Sequence, residues 1–319
     1  MGESSLMVVK ASGSSLAFSE IETEFGANPG RSLGRYRNSH ADFGNKNVGE
    51  LSDLPLDTGI PKTGQIKFSD FYGKRLNIVV DCFSAGSTNY NLNAYSNRFS
   101  NGSYRIVGNY RTSIVPSQWQ GGKKVIIHIN NTFGSSGATN RNDVAFDMGN
   151  QWPAATTYSI DVGSSGKVVG KGGQGGEGGD DNDGGRNNGA TGTSAMRIKS
   201  GLSPNITGGG AILAGGGGGG GGSGEEQNDW WDKNSAGGGG GGGGAGLPAG
   251  SGGNGGNPGG GNGGNGTMTT GGEGGGGASD DEAQGKPGGD GGNNGQAGNA
   301  APSSSGSAGG TGGNQYVFF

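Results

Sequence analysis

Residues 208–224 read GGGAILAGGGGGGGGSG, and residues 237–244 are a second run of eight consecutive glycines. Glycine supplies 82 of the 319 residues, whereas it makes up about 7% of an average protein. Only 19 of these glycines lie in residues 1–165, so 63 fall in the remaining 154 residues. The net charge also changes, from +2 up to residue 165 to −6 beyond it. Composition therefore predicts a domain boundary near Gly166.

Several glycine-rich runs repeat as Gly-Gly-X, as in residues 172–179 and 252–257. A left-handed polyproline-II helix has three residues per turn, so every X side chain would point to one outward ridge. Such a helix makes no internal hydrogen bonds, but parallel copies without side chains can approach closely and bond to one another. The pattern predicts a C-terminal bundle of polyglycine-II helices. The unbroken runs 215–222 and 237–244 should lie at its centre, and each spans about 25 Å.

The alternative is disorder, because Gly-, Ser- and Asn-rich tracts are usually flexible linkers. Glycine also loses more backbone entropy on folding than other residues do. The runs nevertheless recur at similar lengths, and apolar residues flank them at 168–169, 206, 212–213 and 316–319. A linker does not need such anchors, which favours the bundle.

The first 165 residues carry ordinary folding signals, and the predicted fold class is mainly irregular and β with little α-helix. Residues 1–75 are predicted to form a small attachment module, in which Ser19 and Glu22 make a capping box. Residues 33–36 and 69–72 look like two copies of one short docking element, although two unrelated capped turns are an equal alternative. Short β-rich runs between residues 76 and 165 predict a small β domain.

The segments between the glycine runs are of two kinds. Some are small and neutral, and others are long and charged. If successive runs alternate in direction with a break at Pro258, the charged segments all lie at one end and the neutral ones lie at or toward the other. Without the break, residues 252–266 would be one rod of about 46 Å, which does not fit the bundle. The charged segments are 180–188, 225–233 and 280–286, and the neutral ones are 202–204, 247–249, 267–270 and 302–304.

Trp230 and Trp231 lie side by side in an acidic segment. Tryptophan is enriched at binding hot spots because it offers a large contact area with little conformational entropy to lose. We therefore expect at least one of the two to contact a ligand. The alternative is that one packs on the bundle as a local anchor.

Residues 120–224 resemble the glycine-rich tip adhesins of T-even-type phage long tail fibres. The similar stretches are 152–154, 166–176, 195–198 and 206–214, the last leading into the polyglycine run. Phe68 to Gly73 resembles modules that are common in phage tail and fibre proteins. The resemblance implies a polyglycine-II sandwich whose distal loops bind a protein or saccharide receptor on the outer surface of the host bacterium. It also implies other phage tail or fibre proteins as partners. The additional N-terminal module leaves open whether the protein caps a fibre or is mounted on the tail.

In this family the binding segments correspond by position between glycine runs, which assigns the candidate contacts. The predicted receptor-binding residues are Asp181, Asp183, Arg186, Asn187, Glu226, Asp229, Trp230, Trp231, Lys233, Asp281 and Glu282. The residues predicted for virion attachment are Phe18, Tyr36, Phe68, Phe71 and Tyr72.

Other functions have little support, and we expect a virion-borne protein of the phage tail, made in the host cytosol, that is not an enzyme. His40 and His128 have no evident nucleophile or metal partner. Residues 170–175 match GxGxxG, but further glycine follows where a dinucleotide site needs a helix. Residues 181–184 are only a fragment of a calcium loop, and the single cysteine, Cys82, excludes a cysteine-based zinc site. No cofactor and no metal are therefore predicted.

Nucleic-acid binding requires a basic stripe, and the glycine-rich half is acidic. No run approaches 18 apolar residues, so membrane insertion is not expected. Two alternatives remain at this point. One is a structural tail-tip or baseplate component without a receptor role, and the other is an ice-binding slab built from polyglycine helices.

Overall fold

A computed structural model of the chain describes residues 9–25, 32–36, 59–61, 63–74, 78–82, 90–91, 104–107, 124–136, 143–149, 156–181, 187–228 and 233–319. Within these residues, helix is limited to α1 (Phe18–Phe25) and two 3₁₀ helices, Leu33–Tyr36 and Phe68–Phe71. The remainder is strand, turn or extended chain, which confirms a mainly β and irregular fold with little helix. None of the helices described is long and apolar enough to cross a membrane.

The N-terminal module has its own small core of Val9, Ile21, Tyr36, Ile60 and Phe71. Its helix α1 begins at Phe18, and the backbone N–H of Ala17 donates to the Glu20 carboxylate at 2.8 Å. The predicted capping pair of Ser19 and Glu22 is therefore wrong by two residues, because the helix starts one residue before Ser19.

The module uses the same local device twice. The N–H of Lys67 donates to the Asp70 carboxylate at 2.7 Å, as Ala17 does to Glu20. Residues 18–21 and 68–71 thus share a pattern of Phe, Ser, an acid and a buried apolar residue. The Phe18 and Phe68 rings meet edge to face with centroids 6.0 Å apart.

The strands described are short, and most of them pair with segments that are distant in the chain. They are β1 (Ile78–Cys82), β2 (Tyr90–Asn91), β3 (Tyr104–Val107), β4 (Lys124–Ile129), β5 (Thr132–Gly134), β6 (Val144–Asp147), β7 (Thr157–Val162), β8 (Lys167–Val169), β9 (Ser194–Ile198), β10 (Asn205–Ile206), β11 (Ala211–Leu213), β12 (Glu225–Asn228), β13 (Lys233–Ala236) and β14 (Tyr316–Phe318).

From β4 to β11, successive strands enter three sheets in rotation, whereas β12 and β13 form a separate two-stranded sheet. The sheet orders are β10-β7-β4-β1-β3, β11-β8-β5 and β14-β9-β6-β2, and every pair in them is parallel except β1 with β3. The chain therefore passes from β4 to β5 to β6, and then stacks β7, β8 and β9 on them. This arrangement is a three-sided β-solenoid, whose interior is filled by fully buried side chains such as Phe133, Phe146 and Met196.

One corner of the solenoid, between the second and third sheets, carries the glycine-rich chain. Residues 170–181 follow β8, residues 187–194 lead into β9, residues 214–224 follow β11, and residues 307–315 lead into β14. These runs, together with 236–246, 250–257, 260–266, 271–279, 284–292 and 296–301, hydrogen bond side by side, and we call them the glycine bundle.

Hydrogen bonding within the bundle has a period of three residues. In residues 215–222, the N–H groups of Gly216, Gly217 and Gly218 donate to three different neighbouring runs, and the pattern repeats at Gly219. Carbonyl groups in the same run accept from three further runs. Residues 215–222 thus have six neighbouring runs, and residues 237–245 likewise have six. The other described runs form a ring around these two.

Burial confirms the predicted positions of the two kinds of run. All residues of 215–222 and 237–244 are buried, whereas the X residues Gln174 and Asn254 are exposed. The predicted break at Pro258 is also confirmed. The chain turns at residues 257–259, where Gly259 has a φ of +75° that favours glycine.

Strands on both sides of Gly166 pair with one another, for example β5 with β8 and β6 with β9. The solenoid core likewise includes side chains from both sides of this position. The boundaries 1–75, 76–165 and 166–319 remain predictions.

Candidate receptor-binding end

The glycine bundle has one end at the solenoid and one end away from it. Strands β8 and β11 are parallel, so the runs that follow them, 170–181 and 214–224, both lead away from the solenoid. We call the far end of these runs the distal end. The described residues at this end are 181, 187, 225–228, 233–236, 257–259, 280–284 and 302–306.

Contacts between these segments show that they share one end. The N–H of Asn257 donates to the Asp180 carboxylate at 2.7 Å, and the N–H of Gln284 donates to the Glu225 carboxylate at 2.9 Å. The hydroxyls of Ser223 and Ser303 are 3.2 Å apart. The described parts of the three charged segments therefore lie at one end of the bundle, as the alternation of runs predicts.

One neutral segment, 302–304, lies at the distal end, contrary to the prediction. Residues 302–304 turn the chain at the distal end, beside Ser223, although neutral turns were expected at or toward the opposite end. The physical reason is that the runs alternate in direction, so the number of runs before a turn decides its end. Run 284–292 leads toward the solenoid, and run 296–301 then leads the chain back to the distal end. By contrast, the turns at 247–249 and 267–270 lie near the solenoid. There the Leu247 carbonyl accepts from Ser135, and the N–H of Gly246 donates to Thr267.

The hairpin of β12 and β13 occupies the centre of the distal end. It joins the two six-neighbour runs, so the other distal segments surround its base. Its strands pair antiparallel from Glu225 opposite Ala236 to Asn228 opposite Lys233. The prediction that runs 215–222 and 237–244 are interior implies this central position, because the hairpin joins these two runs.

Part of the acidic charge at this end has a structural partner. The Glu225 carboxylate accepts from Gln284 and lies 3.8 Å from the Lys286 ammonium. The Asn187 amide donates to the Glu177 carboxylate at 3.1 Å. Glu225 and Asp180, which the sequence prediction did not select, therefore tie distal segments together through backbone hydrogen bonds.

Six of the predicted receptor-binding residues lie in the described part of the chain, and the other five lie outside it. Asp181, Asn187, Glu226, Asp281 and Glu282 lie at the distal end, and Asp181, Asn187, Asp281 and Glu282 are exposed. The backbone of Lys233 begins β13. The residues that lie outside the described part of the chain are Asp183, Arg186, Asp229, Trp230 and Trp231.

The aromatic residues predicted for virion attachment differ in exposure. Tyr36 and Phe71 are 1% and 0% exposed, with ring centroids 5.9 Å apart in the core of the N-terminal module. They form part of the module's core, and their predicted role in attachment stays a prediction. The Tyr72 hydroxyl donates to the Ser14 carbonyl at 2.6 Å, and Phe18 is half-buried. Phe68, which is 40% exposed, offers the largest free surface of the five.

The His128 imidazole lies 3.5 Å from the Asp161 carboxylate, across the register of β4 and β7. This pair belongs to a strand ladder, in agreement with the interpretation of His128 as a strand residue. Among the described residues, no three His, Cys, Asp or Glu side chains are grouped so as to hold a metal ion.

A family model described as phage tail fibre adhesin Gp38 matches residues 81–317, which is well over half of the chain. The chain belongs to this family. Among solved structures, it is similar to the crystal structure of the gp37–gp38 adhesin tip complex of the bacteriophage S16 long tail fiber. That similarity has 20% sequence identity and a TM-score of 0.39, and it covers 98% of this chain and 94% of the other. A search of curated proteins gave no match.

Membership of the Gp38 family makes the protein a phage tail fibre adhesin, located on the virion tail, that attaches the phage to its host. The predicted resemblance is thereby confirmed. The alternative of a structural tail component without a receptor role is not supported, and neither is the ice-binding slab.

Proposed function

We propose that this adhesin binds its host receptor through the distal end of a polyglycine-II bundle. The observation that carries the proposal is the clustering of the charged segments at one end of the runs, opposite the solenoid. The three-residue hydrogen-bond period and the exposed X residues support the polyglycine-II conformation, because both follow from three residues per turn.

The central hairpin is the main receptor contact in this proposal. Trp230 and Trp231 belong to the segment that joins β12 to β13. Their hairpin rises from the two runs that have neighbours on all sides, so its base is held more firmly than any other distal segment. A firmly held base lowers the entropy lost on binding, and tryptophan adds a large contact area.

The charge of the distal end favours a particular kind of receptor surface. The segments 177–187, 225–233 and 280–286 contain 11 acidic and 3 basic residues, a net charge of −8. Such a surface is attracted to basic protein loops, and its exposed amides and carboxylates also suit the hydroxyls of a saccharide. Recognition of this kind needs no catalysis, and we propose that the protein is not an enzyme.

The remaining parts have supporting roles. The solenoid fixes the bundle because four glycine runs continue directly from its strands or into them. We propose that the N-terminal module of residues 1–75 contributes to attachment on the virion, with Phe68 as its most exposed aromatic residue.

The hairpin is tested by replacing Trp230→Ala and Trp231→Ala together and measuring binding of the purified adhesin to host cells. We expect at least a tenfold loss of binding, which corresponds to about 1.4 kcal/mol or more, because truncation of a hot-spot residue costs about 2 kcal/mol or more. The matched control is Thr269→Ala, an exposed residue in a turn near the solenoid, which should bind normally. Unchanged binding by the folded double variant would exclude the hairpin as the main contact.

A further inference from the structure

A polar groove lies on the side of the glycine bundle, close to the solenoid. It has a volume of about 200 Å³ and is formed by three neighbouring runs. We call it the side groove, and its lining residues are 171–174, 190–191 and 249–251. The N–H of Gly175 donates to the Ser251 carbonyl, and the N–H of Ala190 donates to the Gln174 carbonyl. The run 170–181 therefore lies in the middle, with one of the other runs on each side.

Three backbone N–H groups of the side groove have no hydrogen-bond partner in the described part of the chain. They belong to Gln174, Thr191 and Ser251, one on each run. Other N–H groups at the edge of the bundle are closed by a side chain, as Asn262 does for Gly255 at 2.9 Å. A backbone N–H is a strong donor that requires an acceptor. The side groove thus offers three donors at one level of the bundle, where the oxygen of a ligand can replace water.

Polar side chains with unused hydrogen-bonding capacity surround these N–H groups. Among the described residues, the Lys171 ammonium, the Gln174 amide and the Ser251 hydroxyl have no hydrogen-bond or ion-pair partner. The Thr191 hydroxyl accepts from the Thr311 hydroxyl at 3.3 Å, so its own hydrogen is left for a ligand. The groove is therefore rich in donors, and the Lys171 ammonium is the one charge among its lining side chains.

The side groove differs in charge from the distal end of the same bundle. Glu177 is the next X residue after Gln174, but it does not line the groove. Its carboxylate accepts from the Asn187 amide at 3.1 Å. The segments at the distal end are strongly acidic, whereas the groove carries a single positive charge. An anionic ligand is therefore attracted to the groove and repelled by the distal end.

We propose that the side groove binds an acidic sugar, that is, a sugar ring that carries a carboxylate or a phosphate. The anionic group accepts hydrogen bonds from the unpaired N–H groups and from the Lys171 ammonium. The ring hydroxyls bond to the Gln174 amide and the Ser251 hydroxyl. This site is separate from the receptor contact proposed at the distal end, and it does not depend on which distal segments bind the receptor.

The shape of the side groove favours a sugar over a protein partner. Its buried lining residues are Gly172, Gly173 and Gly250, so its floor is bare backbone. Aromatic and large apolar side chains, which anchor protein partners, do not line it. Its volume is also below the roughly 300–1,000 Å³ of pockets that enclose larger ligands. A single sugar ring suits this size.

The test is a titration of the isotope-labelled full chain, in which the backbone amide signals are followed by NMR. The probes are glucuronate, glucose 6-phosphate, glucose and inorganic phosphate. We expect both acidic sugars to bind with a Kd on the order of 1 mM. The signals that should shift are those of Lys171, Gln174, Thr191 and Ser251. Glucose and phosphate should each bind at least tenfold more weakly, because each supplies only part of the ligand.

Two variants remove different donors of the side groove. Lys171→Gln removes the cation and should weaken glucuronate binding at least tenfold at an unchanged melting temperature. Ser251→Pro removes an unpaired N–H, and the exposed Pro287 in run 284–292 shows that a glycine run accepts proline at an outward position. Ser251→Pro should bind about threefold or more weakly than Ser251→Ala, which keeps the N–H. The control is Lys199→Gln, an exposed lysine after β9, which should bind glucuronate normally.

Several results would contradict this assignment. One is the absence of shifts in the groove at about ten times the expected Kd. Another is phosphate binding as tightly as glucose 6-phosphate, which would indicate an anion site without sugar recognition. Normal glucuronate binding by Lys171→Gln would exclude the groove as the site, even if Ser251→Pro did not fold. The titration involves no host cells, so its failure is distinct from a failure of receptor binding at the distal end.

Discussion

The solenoid and the glycine bundle are joined without a break, yet their interiors are filled in opposite ways. In the solenoid, side chains such as Phe133, Phe146 and Met196 pack inside three sheets. In the bundle, the interior runs have no side chains, and backbone hydrogen bonds to six neighbouring runs take their place. The first region is stabilised by burial of apolar surface. The second depends on the close approach of bare backbones. The bundle should therefore be destabilised by adding a side chain, and the solenoid by removing one.

The largest effect is expected from adding one methyl group inside the bundle. A Cβ at Gly219 would overlap the carbonyl oxygen of Gly289, and the surrounding backbone has no flexible side chain that could move aside. Gly219→Ala should exceed the usual overpacking penalty of about 1–3 kcal/mol and abolish the folded bundle, as measured by thermal unfolding and protease resistance.

The matched control for that prediction is Gly276→Ala. Gly276 occupies an outward position in the run 271–279, and a Cβ there would meet no atom within 4 Å. This variant should melt within about 1 °C of the wild type, a shift that corresponds to less than about 1 kcal/mol for a chain of this length. Equal damage by both variants would show that glycine is needed for a reason other than packing.

In the solenoid, removal of a buried side chain is expected to lower the free energy of unfolding. Phe146→Ala removes a fully buried ring that lies 6.4 Å, centroid to centroid, from Phe133. The cavity should cost about 3–5 kcal/mol of the free energy of unfolding, measured by urea denaturation. Because four glycine runs continue from the solenoid strands, the bundle should unfold in the same transition. Two separate transitions would contradict this coupling.

The smallest effect concerns the outer edge of the bundle, where side chains replace missing neighbours. The Asn262 side-chain oxygen accepts from the N–H of Gly255 at 2.9 Å, and Asn265 does the same for Gly252. Asn262→Ala should cost about 0.5–1.5 kcal/mol, toward the lower value because water can reach the exposed N–H.

Asn254→Ala is the control for the edge. Asn254 is an exposed X residue, and no hydrogen bond of its side chain is present in the described part of the chain. Its replacement should leave the melting temperature unchanged. A loss of stability equal to that of Asn262→Ala would mean that the X residues act through solvation alone.

Much of the bundle could be predicted from the sequence, because the burial of each residue depends on the spacing of glycine in its own run. A residue without a side chain can be interior, and a Gly-Gly-X period exposes X, so the burial of Gly219 and the exposure of Asn254 followed from composition and spacing. The break at Pro258 followed from the alternating direction of successive runs and from the length of residues 252–266. The capping pair is Ala17 and Glu20, two residues before the predicted pair of Ser19 and Glu22. Several adjacent acidic residues could accept this hydrogen bond, and only the position of the helix start selects one.

The solenoid could not be predicted in the same way. Strands such as β5 and β11 have three residues each, and their partners lie tens of residues away. A short apolar run looks the same in any sheet, so the sequence indicated β structure without its connectivity. The neutral turn at 302–304 was placed at the wrong end for a related reason, since its position depends on the number of runs before it.

The sequence by itself determined that a side-chain-free interior lies after Gly166, where the outward residues fall, and that acidic segments separate the runs. These properties depend on the spacing of glycine and charge along the chain. Only the tertiary structure decided which strands stack in each sheet of the solenoid and that the turn at 302–304 lies at the distal end. Both depend on which distant segments become neighbours, and that choice is made by the combined packing of the whole chain.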